Sequence, residues 1–268
     1  MSAPVALAAT LHDPGGALLP LLRPALPDLA RRYAGLAILA TDDTAPALLD
    51  LLRAAGAAVE SRPADYAAVG RRRLDAVRRA AGLAPEVAAV HLCDFDRLLH
   101  WWHAYPDELA DVVAHAARVD LLILGRTARA WATHPAVQVE TEHLANRAAS
   151  LLYGAEVDVC AGSRGLSRRA VDYLVARSRE RGVGADAEWP LLLRHAGSFA
   201  CAQRLTEGLE FETADRFPEE VARAGGPAAW NAALDRDPAR WAFRAHVAAD
   251  IVDGALRTAL ALGVVRAP

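Results

Sequence analysis

Asp94 and Asp96 stand one residue apart just beyond an apolar run, in the stretch VAAVHLCDFDRLLHWW from Val87 to Trp102. A short run of apolar and β-branched residues without polar alternation predicts a strand covered on both faces. In open α/β sheets, ligands collect beyond the carboxyl ends of such strands. Paired carboxylates delivered there suit a hard divalent cation, which binds through oxygen and can in turn hold a diphosphate. A second D-x-D triplet, Asp235-Arg-Asp237, lies in a polar segment before Pro238 with no strand leading into it, and reads as a solvated turn.

Composition narrows the chemistry further. All 30 basic residues are arginine. A Walker A lysine, a Schiff-base lysine and a Ser-Lys nucleophile pair are therefore excluded. Cys93, Cys160 and Cys201 are widely spaced within apolar segments and read as small buried hydrophobes, with no C-x-x-C pair and no disulfide framework. The net charge of −3 gives no basic field for nucleic acid. No uncharged apolar run approaches the roughly 18 residues of a membrane span, and no basic region precedes the apolar start, so a cytoplasmic location is the default expectation. With 268 residues, 53% of them hydrophobic, the chain can form one large α/β domain with a helical appendage.

The elements that must position the acidic pair follow from the alternation of strand-like and helix-like segments, which predicts a mainly parallel sheet with crossover helices. Val5 to Thr10 reads as the first strand, ending in the turn cluster His12-Asp13-Pro14-Gly15-Gly16. Helices are expected over Leu18 to Tyr33, Tyr66 to Ala81 and Val137 to Leu152, and further strands over Leu36 to Thr41, Ala57 to Glu60, Val119 to Leu124 and Val157 to Ala161. Gly162 to Gly165 reads as a turn into a helix capped by Ser167, and Gly182 to Gly184 as a flexible link into Asp186-Ala187-Glu188. Beyond Phe211 the pattern changes: Pro218, Gly225, Gly226 and Pro227 punctuate a loop region, and Trp241 to Leu262 is helical and amphipathic. The segment from about Gly225 onward is expected to lie outside the sheet, as a helical cover or a homo-oligomer contact, so that truncation at Gly225 would leave a soluble α/β core.

The order of these features resembles the nucleotide-diphospho-sugar transferase fold, the GT-A type of glycosyltransferase, over roughly Val5 to Phe217. The resemblance rests on Thr10 to Gly16, on Asp94-Phe95-Asp96 and on Asp186-Ala187-Glu188. Gly70-Arg71 with Ala76 and Ala80 is similar to the small-plus-Arg helix of family-2 members, and Ala161 to Ser167 to their Gly-containing acceptor-side loop. It implies a Rossmann-like, mainly parallel sheet flanked by helices in a nucleotide-sugar-binding domain (1–217), followed by a helical extension (218–268). It also implies a metal-dependent glycosyltransferase that moves a sugar from a nucleoside diphosphate donor to an acceptor hydroxyl with Mg2+ or Mn2+. The family's usual Glu-Asp dipeptide is here Asp-Ala-Glu, and the Q-x-x-R-W motif of processive synthases is missing.

On this reading Asp96 is the direct metal ligand. Asp94 orients the ribose or a metal-bound water, and His195 is the candidate third ligand. Asp186 or Glu188 is the expected base toward the acceptor. Thr10, His12, Asp13 and Arg71 are the expected nucleotide-sugar contacts, and Arg126 and Arg164 are expected to contact phosphates or an anionic acceptor. Glu142 and Asn146, four residues apart, either line the acceptor pocket or cap solvent. Trp101-Trp102-His103 either stacks on a sugar or packs in the core. The alternatives are a non-catalytic descendant that binds a nucleotide or a protein, and a sugar-phosphate nucleotidyltransferase.

Overall fold

The computed structural model describes residues 4–266. Seven strands form one sheet: β1 (Val5–Leu11), β2 (Leu36–Thr41), β3 (Ala58–Arg62), β4 (Ala89–Leu92), β5 (Leu121–Arg126), β6 (Ser163–Ser167) and β7 (Cys201–Thr206). Their order is β3-β2-β1-β4-β6-β5-β7, with β6 antiparallel to both neighbours and every other pair parallel. The helices are α1 (Leu19–Arg32), α2 (Pro46–Ala54), α3 (Val69–Ala81), α4 (Phe95–Ala104), α5 (Pro106–Ala116), α6 (Ala128–Ala132), α7 (Ala136–Tyr153), α8 (Arg168–Arg177), α9 (Ala185–His195), α10 (Pro218–Ala224), α11 (Pro227–Asp235) and α12 (Pro238–Ala261). The result is a mainly parallel sheet flanked by helices, with a helical C-terminal segment. Among the described residues no helix is long and apolar enough to cross a membrane.

β1, β2, β4 and β5 are apolar almost throughout because both of their faces are covered. On one face Leu7, Ile38 and Leu124 pack with Leu22 and Leu29 of α1, Leu48 of α2, Trp101 of α4 and Val112 of α5. On the other, Leu39, Leu121 and Ile123 pack with Val77 of α3, Ala145 of α7, Leu174 of α8, Trp189 of α9 and Ile251 of α12.

Four parts of the sequence reading need correction, the first being the turn expected over Gly162 to Gly165, which from Ser163 onward is instead strand β6. Val157 to Ala161 is not a strand: Asn146 Oδ1 accepts from the Val159 and Cys160 amides, a 3-10 turn follows, and Gly162 takes a left-handed φ of 70° before the chain enters β6. β7 has no counterpart among the expected strands, since it is a half-exposed edge strand whose polar Gln203 and Arg204 break any buried run. Asp235 and Asp237 are not merely solvated, for Asp237 caps α12 through the Ala239 amide and Asp235 Oδ1 accepts from the Val137 amide. The C-terminal extension is helical as expected, yet α12 is stitched into the fold: Ala248, Ile251, Ala255 and Ala259 belong to the core on the sheet's second face.

Candidate active site

The carboxyl ends of β1, β2 and β4 open into a cavity of about 250 Å3, lined by Thr10, His12, Thr41, Val69, Arg72, Arg73, Asp94, Asp96, Glu212 and Arg216, with Leu11, Leu18 and Leu39. Sheet register builds its floor. Ala8 of β1 lies opposite Leu92 of β4, so two residues further on Thr10 meets Asp94, and its hydroxyl donates to Asp94 Oδ1 at 2.6 Å.

The other Asp94 oxygen accepts from Arg73 Nη2 at 2.8 Å, while Arg73 Nη1 donates to both oxygens of Asp186 at 2.8 and 3.0 Å. One guanidinium thus clamps the end of β4 to the start of α9. Arg164 of β6 supports the clamp, donating to the carbonyls of Asp186 at 2.7 Å and Val159 at 2.9 Å. Burial works against ionisation of Asp94, but Arg73, Arg97 and the Thr10 hydroxyl outweigh it and hold the carboxyl below its usual range. The clamp needs α3 close to the link before α9. Gly70 permits it, because a Cβ there would lie 2.2 Å from the Gly182 carbonyl oxygen.

Asp96 sits in the first turn of α4, where a carboxylate is favourable. Its Oδ1 accepts from the Arg97 amide at 3.0 Å, and its Oδ2 faces Arg216 Nη1 at 3.4 Å. Arg97 turns inward to Glu212 Oε1 at 3.3 Å and to the Ala161 carbonyl. The second Glu212 oxygen is buried and has no hydrogen-bond partner among the described residues. Burial, then the charges of Glu212 and Asp94, push the Asp96 pKa up against the opposing pull of Arg97 and Arg216. His12 Nδ1 lies 2.8 Å from the Thr41 hydroxyl and 3.5 Å from Asp43 at the cavity edge.

The structure therefore brings Thr10, His12, Asp94 and Asp96 together at one cavity and places the other expected residues elsewhere. Asp13 is buried next to the cavity, but its carboxylate accepts from the Ala17 and Leu18 amides and fixes the approach to α1. Arg71 points away to Asp75, since each residue advances a helix by about 100°, and Arg72 and Arg73 face the cavity instead. Arg126 is enclosed by Asp158 at 2.8 Å and Glu142 at 2.6 Å, and its guanidinium lies 3.4 Å from the centre of the Trp131 ring. Glu142 also pairs with Arg244 and Asn146 with Asp158, so both are consumed in that internal network.

Glu188 is turned from Asp186 by its helical phase and caps the preceding loop, accepting from the Ser178 hydroxyl and from the Arg179 amide at 2.6 Å. His195 lies at the far end of α9, about 13 Å along the axis from Asp186, bonded to the Leu152 carbonyl at 3.0 Å. It does not join the acidic pair. Trp101 and Trp102 donate their indole N–H groups to Glu108 and Asp28, which makes them packing residues.

Thr41, Arg72, Arg73, Glu212 and Arg216 are polar cavity residues that sequence reasoning missed. Arg72 and Arg73 were legible only as part of a basic helix. Glu212 and Arg216 have the i,i+4 spacing of an ordinary surface pair, and nothing local relates them to a strand more than 100 residues earlier.

No protein-family profile matches the chain, and no curated protein matches it. Among solved structures it is similar to glucosyl-3-phosphoglycerate synthase from Mycobacterium tuberculosis in complex with Mn2+, uridine diphosphate and phosphoglyceric acid. The identity is 15% over 75% of this chain and 68% of that one, with a TM-score of 0.44. The complex of the same synthase with Mn2+, UDP-glucose and phosphoglyceric acid gives 16% identity over 75% and 69%, TM-score 0.42. A protein from Desulfovibrio desulfuricans G20, provisionally described as a nucleotide-diphospho-sugar transferase, gives 12% identity over 96% of this chain and 99% of that one, TM-score 0.42.

Proposed function

We propose that the cavity at the ends of β1, β2 and β4 binds a nucleoside diphosphate sugar and that the protein transfers the sugar to an acceptor hydroxyl. The observation that carries this reading is the convergence of Asp96, the unpartnered oxygen of Glu212 and the guanidinium of Arg72 on one open cavity at the carboxyl ends of parallel strands. The carboxylates at the cavity differ in how well they suit a divalent cation. Asp94 does not suit it, because both of its oxygens are engaged by Thr10 and Arg73. Asp96 and Glu212 do: one or two carboxylates, completed by substrate phosphates and water, are the usual protein share of a Mg2+ site. A bound Mg2+ or Mn2+ supplies charge stabilisation to the diphosphate as it leaves.

The remaining work belongs to the chain's own side chains. Among the described residues Arg72 donates only to the Asp65 carbonyl, so the rest of its guanidinium, at the cavity, would meet the phosphates. Thr10, His12 and Thr41 frame the nucleoside end. Asp94 keeps Thr10 and Arg73 in place, and Asp186 keeps Arg73 in place in turn. Binding without transfer is the second reading. It is favoured by Asp186 and Glu188, whose carboxylates are both committed to internal partners.

A calorimetric screen of UDP-, GDP-, ADP- and CDP-glucose with and without Mn2+ tests the proposal. One of the four is expected to bind, and Asp96→Asn is expected to weaken it at least tenfold, about 1.4 kcal/mol. Indifference to all four overturns the reading. Tight binding with neither hydrolysis nor transfer to added acceptor hydroxyls selects the second.

A further inference from the structure

We propose that Asp96 and Glu212 form one cation site whose Asp96 side is held in the free protein by the Arg216 guanidinium, so that a divalent metal enters by displacing Arg216 from Asp96. This rests on the reading of the cavity as a donor site. Glu212 is only 5% exposed, and its Oε1 meets Arg97 at 3.3 Å while Oε2 has no hydrogen-bond partner among the described residues. A buried carboxylate oxygen left unpaired is unfavourable by more than an ordinary hydrogen bond contributes, and such atoms in a folded protein call for a ligand.

Arg216 holds its place loosely. Its Nη1 stands 3.4 Å from Asp96 Oδ2 and its Nη2 stands 3.6 Å from Asp13 Oδ1, both longer than the roughly 2.7–2.9 Å of a charge-assisted bond. A 3.1 Å bond to the His12 carbonyl is its best contact, and its Nε, like that of Arg73, is buried without a hydrogen-bond partner among the described residues. The contrast with Arg73 is direct, since Arg73 reaches both Asp94 and Asp186 at 2.8 Å. One guanidinium is built into the fold, and the other bridges the cavity with contacts that a small divalent ion outcompetes. Once displaced, Arg216 remains at the cavity and is free to meet a diphosphate.

Competition gives a test opposite in sign to that of a supporting residue. Mn2+ alone is titrated into the full chain and followed by electron paramagnetic resonance, with circular dichroism melts to verify folding. Arg216→Gln is expected to bind Mn2+ about tenfold more tightly than the parent, or about 1.4 kcal/mol, and Arg216→Lys to stay within about threefold of it. Glu212→Gln is expected to bind at least tenfold more weakly, with Glu212→Asp between it and the parent. Equal or weaker Mn2+ binding in Arg216→Gln overturns the displacement. Unchanged binding in Glu212→Gln, or no Mn2+ binding in any variant, overturns the site. Nucleoside diphosphates titrated into the same samples report on the donor reading separately, since a chain that shows these Mn2+ shifts but binds no nucleotide has lost only that reading.

Discussion

Asp186 illustrates how a carboxylate can stand beside a cavity and yet be spoken for. Both of its oxygens accept from Arg73, and Arg164 approaches at 3.4 Å. Removing one member of a buried ion pair leaves the others uncompensated, a loss of about 3–5 kcal/mol. Asp186→Asn is therefore expected to lower the unfolding free energy by about 3 kcal/mol, read as a shift of the urea midpoint at unchanged slope. An unaltered midpoint would show that the clamp contributes nothing to the fold. Asp94 and Asp96 divide in the same way: the first is fixed by Thr10 at 2.6 Å and Arg73 at 2.8 Å, whereas the outer oxygen of the second is held by Arg216 at 3.4 Å.

At the scale of elements, the segment between β7 and α10 is what completes the cavity, and α4 holds it. His100, one turn beyond Asp96, lies with Nδ1 2.7 Å from Asp215 and Nε2 2.9 Å from Glu210. Burial alone would lower the His100 pKa, but the hydrogen bonds and charges of Asp215 and Glu210 outweigh it and raise it above the ordinary histidine value. A group whose pKa is higher folded than unfolded stabilises fully below the unfolded value, about 6.5, and loses that contribution as pH rises through the folded one. Amide exchange across residues 207–217, corrected for its intrinsic pH dependence, is expected to accelerate above about pH 6.5, and His100→Gln to abolish the trend. The α3 contact makes a second prediction. Gly70→Ala places a methyl against the Gly182 backbone and is expected to destabilise by about 1–3 kcal/mol, lowering the melting temperature without altering the helix content.

At the scale of the whole molecule, α12 decides whether the chain is one unit or two. Its inner face packs with α7 and α9 in the core on the sheet's second face, and Ile251 is 3% exposed there. Truncation at Gly225 is accordingly expected to give an aggregating or unfolded chain, in place of the soluble core that the composition shift suggests. Ile251→Ala is expected to lower stability by about 2–5 kcal/mol within a single cooperative transition. Two separate transitions in calorimetry would instead restore a division near residue 217.

The strands buried on both faces, β1, β2, β4 and β5, were legible in the sequence because continuous apolar runs have few other uses in a chain of this composition. The D-x-D pair was legible because it follows such a run. β6 and β7 are not legible, since a short antiparallel strand that follows Gly162 and runs straight into α8, and a half-exposed edge strand, carry no distinctive period. Arg73, Glu212 and Arg216 were invisible as site residues for a related reason. An arginine on a charged helix and an acid-base pair on a loop look alike whether they face solvent or a cavity. Local pattern fixes which residues are buried along one element. Only the packing of α3, α4 and the 212–216 turn around the end of β4 determines which charges share a low-dielectric space, and hence which carboxylate is neutralised by the fold and which remains for a ligand.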